Sequence, residues 1–128
     1  MIEIIETKGN LEVTLVAVKM GEEWNISIKG GNRPHIGAVA LGIPRKSLQD
    51  EKKISATVSV LTITGHKEDE IVVPVAKKIA AELNRTTVVV CGIHNDDIKM
   101  DDINIFVQLV NETVNRFLIK VKENINFI

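Results

Sequence analysis

At 128 residues the chain fits a single domain, 1–128, and folding at this size buries about two thirds of the surface the unfolded chain exposes. Apolar residues make up 45% and the formal net charge is −1, enough for a core but no charge-based case for nucleic acid or an anionic membrane. Aromatic content of 3% with no Tyr argues against base-stacking platforms, the lone Cys91 excludes an internal disulfide, and no apolar run reaches the ~20 residues of a membrane span. The opening Met-Ile-Glu-Ile-Ile-Glu lacks the basic leader and long apolar stretch of a secretory signal, so the expectation is a soluble cytoplasmic domain.

Residues 2–7 alternate loosely and end in the turn Lys8-Gly9-Asn10. Leu11, Val13, Leu15 and Ala17 then alternate with Glu12, Thr14 and Val16, and after Met20-Gly21-Glu22 the residues Trp24, Ile26 and Ile28 alternate with Asn25, Ser27 and Lys29. Period two with one apolar face predicts strands, and connections this short require antiparallel neighbours. Gly30 to His35 is a turn-forming loop. The apolar run 36–41 follows as a strand that Gly42 and Pro44 are expected to end, and 44–53 reads as a charged, solvated loop.

The stretch 56–84 begins as a β-branched strand, breaks at Gly65 and continues as a helix. Ile71, Val72, Val75, Ile79 and Leu83 share its apolar face, with Lys77 and Lys78 opposite, and Pro74 is expected near the first turn. Asn84-Arg85 closes it. The run 86–90 is continuously apolar, as in a buried strand, and ends at Cys91-Gly92-Ile93. A last helix is expected from near Asp101, with Ile103, Phe106, Val107, Val110, Val114, Phe117, Leu118 and Val121 inward. The apolar tail 125–128 is expected to dock on its own sheet or on another protomer. This order predicts α+β: a mainly antiparallel or mixed β-sheet with two α-helices packed on one face.

The three histidines occupy comparable places: His35 after Pro34, His66 after Gly65 and His94 after Gly92-Ile93. Their convergence on one cleft requires the strand after His35 to run antiparallel to the strands before His66 and His94. Three imidazoles can ligate a divalent metal, which gives the enzyme alternative: a small metal-dependent hydrolase or lyase. They can be unrelated surface or capping residues, or they can hydrogen-bond a polar organic ligand, with Arg33, Lys67 and the free N–H groups of a helix start holding an anionic group. Cys91 follows Val88–Val90, which predicts a buried, inert thiol. Glu68, Asp69 and Glu70 read as helix-start carboxylates, and Asp96 and Asp97 either as caps or as groups that orient His94.

The segments RPHIGAVAL (33–41), SVLTITGHKEDEIVVPVAKKIA (59–80) and VVVCGIHND (88–96) resemble the small accessory proteins of gallate and hydroxybenzoate decarboxylase systems, a prenylated-flavin chaperone family. The resemblance covers roughly residues 31–97. It implies a non-catalytic accessory protein that binds reduced prenylated FMN (or FMN) and helps deliver it to a UbiD-like decarboxylase. It further implies that His35, His66, Lys67 and His94, with Arg33 and Asp96, line the flavin site. Trp24 is the one large aromatic outside the last helix and tail for ring stacking. The apolar tail suggests a homo-oligomer.

Overall fold

The computed structural model describes residues 1–63 and 68–126, the side chains of Ile125 and Asn126 excepted. The elements are β1 (Ile2–Lys8), β2 (Leu11–Met20), β3 (Glu23–Gly30), β4 (Ala38–Lys46), β5 (Ile54–Thr62), α1 (Asp69–Leu83), β6 (Thr87–Ile93) and α2 (Met100–Asn126). The strands form one sheet in the order β1-β2-β3-β6-β4-β5. β6 enters between β3 and β4, parallel to β3 and antiparallel to β4, while the other pairings are antiparallel. The protein is therefore α+β with a mixed sheet.

Register shows which sheet face the helices cover. Leu15, Ile28, Cys91 and Ala38 oppose one another across four strands, as do Ala17, Ile26, Val89 and Ala40 in the next row. All eight are fully or almost fully buried, and they share a core with Val72, Ala76 and Ile79 of α1 and Phe106, Val110 and Phe117 of α2. Each large aliphatic side chain so buried contributes about 1.5–3 kcal/mol. Both helices thus pack on one face, and the alternating polar residues Asn25, Ser27 and Lys29 are exposed on the other.

β4 runs past the expected stop at Gly42 and Pro44 to Lys46. Its pairing with β6 ends at Gly42, so Pro44 pairs only with Ala56 of β5. A residue without an N–H is tolerated where a strand has one neighbour. Gly42 marks close packing instead: a Cβ there would stand 2.7 Å from the Ala76 carbonyl oxygen of α1. Pro74 falls inside α1, in its second turn, where it forfeits one backbone bond. Asn84, in the left-handed region at φ 52°, terminates that helix as expected. α2 is longer than its apolar face suggested; Leu109 and Thr113 join the buried set, while Ile103 and Val107, expected inward, are exposed where they line an open groove between α2 and α1. The side chains of the tail 125–128 lie outside the described residues.

Candidate functional site

β4 and β6 run in opposite directions, so the residues before one and after the other meet at the same end of the sheet. His35 and His94 stand there with ring centroids 6.0 Å apart. The close approach depends on Gly92, where a Cβ would overlap the His35 carbonyl oxygen. Gly31, at φ +83°, turns the preceding loop against the His94 carbonyl in a conformation side chains disfavour. Backbone bonds fix the two segments: Arg33 N–H donates to His94 O (3.1 Å), His94 N–H to Gly30 O (3.2 Å) and Gly37 N–H to Cys91 O (2.9 Å).

Side chains complete the clasp. Asn32 N–H donates to Asn95 Oδ1 (3.0 Å), and Asp96 N–H donates to Asn32 Oδ1 (3.1 Å). Asp96 meets His94 Nε2 through one carboxylate oxygen (3.2 Å) and accepts from Arg33 Nε through the other (3.2 Å). The bond to His94, helped by the Arg33 charge, holds the Asp96 carboxyl below the usual carboxylate range. A carboxylate depressed by folding stabilises the folded state at pH values above its unfolded pKa of about 3.9, and that contribution disappears as pH falls through the lower folded value. An NMR titration of the Asp96 carboxyl should therefore show a midpoint below that of an unfolded Asp, and His94→Ala should raise it.

His35 Nε2 lies 3.2 Å from Glu68 Oε1. Glu68, whose side chain is only 8% exposed, precedes α1, so this contact ties the helix start to the loop before β4. It is the functional candidate that sequence reasoning misses, since a carboxylate at a helix start is already explained by the dipole. With Asp69 and Glu70 behind it, the α1 entrance is acidic. Cys91 is buried, and burial with Glu68 nearby pushes its thiol up to about 12, as expected of an inert thiol. Trp24 packs edge-on against Phe117, with centroids 5.0 Å apart at 89°, and pairs with Thr87 at the opposite end of β6 from His94. It is a core residue, far from the clasp. His66 and Lys67 lie outside the described residues. Among the described residues, no group of three or more His, Cys, Asp or Glu is arranged to hold a metal ion.

Beside the clasp, α1, α2 and the end of β6 enclose a groove of about 620 Å³. Glu68 lines one part of it and Lys78 another, with Ile71, Ile93, Phe106 and Val107 among the apolar residues between. Small-molecule sites commonly occupy 300–1,000 Å³ with mostly apolar walls and a few placed polar groups.

A mixed sheet backed by two helices, with imidazoles, carboxylates and a guanidinium gathered at one sheet end beside an apolar groove, defines the class: an α+β protein with a polar side-chain cluster next to an apolar groove. A family model described as the prenylated flavin chaperone LpdD-like domain matches residues 7–122, and the chain belongs to that family. No curated protein matches it. A chain from the crystal structure of a chaperone complex for yeast 20S proteasome assembly is similar at a TM-score of 0.44 and 15% identity, with 98% of this chain and 94% of that one covered. Among the described residues, no helix is long and apolar enough to cross a membrane.

Proposed function

We propose that this protein is a non-catalytic, cytoplasmic accessory protein that binds reduced prenylated FMN and helps deliver it to a UbiD-like decarboxylase. The observation that carries this reading is the joining of His35, Glu68, His94, Asp96 and Arg33 at one end of the sheet, with Glu68 also lining the α1–α2 groove, in a chain of the prenylated-flavin chaperone family. His35 and His94 bond the polar edge of the flavin, together with His66 and Lys67 from the segment before Glu68. Arg33 and Asp96 hold His94 in place. The bound flavin would supply the decarboxylation chemistry of the enzyme it reaches, while this chain binds, orients and releases it.

Anaerobic absorbance titration with reduced prenylated FMN tests the reading directly, followed by mixing the loaded protein with apo-decarboxylase and measuring cofactor transfer. Saturable binding is expected, and a flat titration sinks it. Lys67→Ala is expected to weaken flavin binding with the thermal midpoint unchanged, and wild-type affinity in that variant would remove Lys67 from the site. Self-association belongs to the same reading. The sheet face away from the helices carries Val39, Val90 and Leu61 side by side, with Leu61 77% exposed, and light scattering on the eluting protein measures the oligomer.

A further inference from the structure

The groove has opposite chemistry at its two ends. At one end Glu68 and Glu70 bring carboxylates to its lining. At the other stands Lys78, ten residues further along α1, or about 15 Å of helix axis. Lys78 Nζ donates to Asn115 Oδ1 of α2 (2.8 Å), a bridge between the two helices at that end of the lining. Its partner is a neutral amide, so its charge is not cancelled there, whereas Lys122 further along α2 is paired with Glu82 (3.0 Å). Asn111 and Asn115 add side-chain amides to the same end of the lining.

A dianion placed at the α1 entrance meets Glu68, Asp69 and Glu70 at short range, and that repulsion opposes the attraction of the helix start. At the Lys78 end the same dianion meets a cation and amide donors. Between the ends, Ile71, Phe106, Val107 and Val110 offer an apolar wall to a flat ring. Resting on the flavin reading above, we infer that the ligand lies lengthwise in the α1–α2 groove, its ring system toward Glu68 and His35 and its phosphate at Lys78 and Asn115. The phosphate-binding group is then on the helix flank, away from the helix entrance.

The test compares reduced prenylated FMN with the same flavin after phosphatase treatment, both titrated anaerobically into the full chain. Lys78→Glu is expected to weaken binding of the phosphorylated flavin by about tenfold or more, the scale of one charge-assisted bond, and to leave the dephosphorylated flavin unaffected. Val107→Trp, on a groove lip that is 39% exposed, narrows the channel and is expected to weaken both ligands alike. Equal affinity of wild type and Lys78→Glu for the phosphorylated flavin, or an equal loss for both flavins, overturns the phosphate assignment. A phosphate-dependent loss in Lys67→Ala in place of Lys78→Glu returns the phosphate to the helix entrance and overturns it too. Unchanged binding of both flavins in Val107→Trp overturns the groove assignment while the flavin reading stands. Failure of the wild type to bind either flavin sinks that reading itself.

Discussion

Gly92→Ala is expected to destabilise the protein by about 3 kcal/mol or more, at or beyond the upper end of ordinary overpacking, and to abolish flavin binding. The added methyl would occupy the position of the His35 carbonyl oxygen, and no rotamer change relieves a clash with backbone. β4 and β6 must then separate where Gly37 N–H bonds Cys91 O at 2.9 Å, and the 6.0 Å approach of the two imidazole rings goes with it. Gly37→Ala provides the contrast. Its methyl meets the Glu68 carboxylate, the far end of a flexible side chain, which can swing aside. That variant should lose the His35–Glu68 contact and bind flavin more weakly while losing no more than about 1–2 kcal/mol. Urea denaturation of the two variants checks the ordering, and equal losses would mean that the backbone at Gly92 yields more readily than its geometry implies.

The same contrast explains what the sequence could reveal. β2 and β3 are readable because apolar and polar residues alternate between Gly-containing turns, and one buried face imposes that period. The extension of β4 through Gly42 and Pro44 is not, because it depends on β6 beginning only at Thr87 beside it, a fact of topology that local punctuation does not encode. The parallel β3–β6 pairing is equally hidden, since β3 and β6 stand far apart in the chain. His35 and His94 are legible as neighbours from glycines and strand ends. Glu68 is not, because a helix-start carboxylate and a buried partner of histidine look the same in one dimension. Lys78 reads as facing solvent, opposite the apolar stripe of α1. Periodicity separates inward from outward, but it does not show that a second helix flanks the outward side and makes a groove of it.

Phe117→Ala is expected to cost about 4 kcal/mol, within the range for large aromatic truncations, and Phe106→Ala measurably less. Both rings are almost fully buried, so area removed from water does not separate them. Their surroundings do. Phe117 is enclosed in the core and meets Trp24 edge-on at 5.0 Å, so its removal leaves a void that rigid strands cannot fill and deletes an aromatic pair contributing about 0.5–1.5 kcal/mol beyond area. Phe106 borders the α1–α2 groove, and the space it vacates joins a cleft open to water, so the penalty for an empty cavity is small. The functional order reverses. Phe117→Ala should bind flavin normally below its lowered melting temperature, because the clasp and the groove wall do not include it, whereas Phe106→Ala removes part of the wall against which a flat ring would lie. Thermal melts and flavin titrations on the same two samples measure both orders, and a Phe106→Ala protein that binds as tightly as wild type would show that the groove wall contributes nothing to recognition.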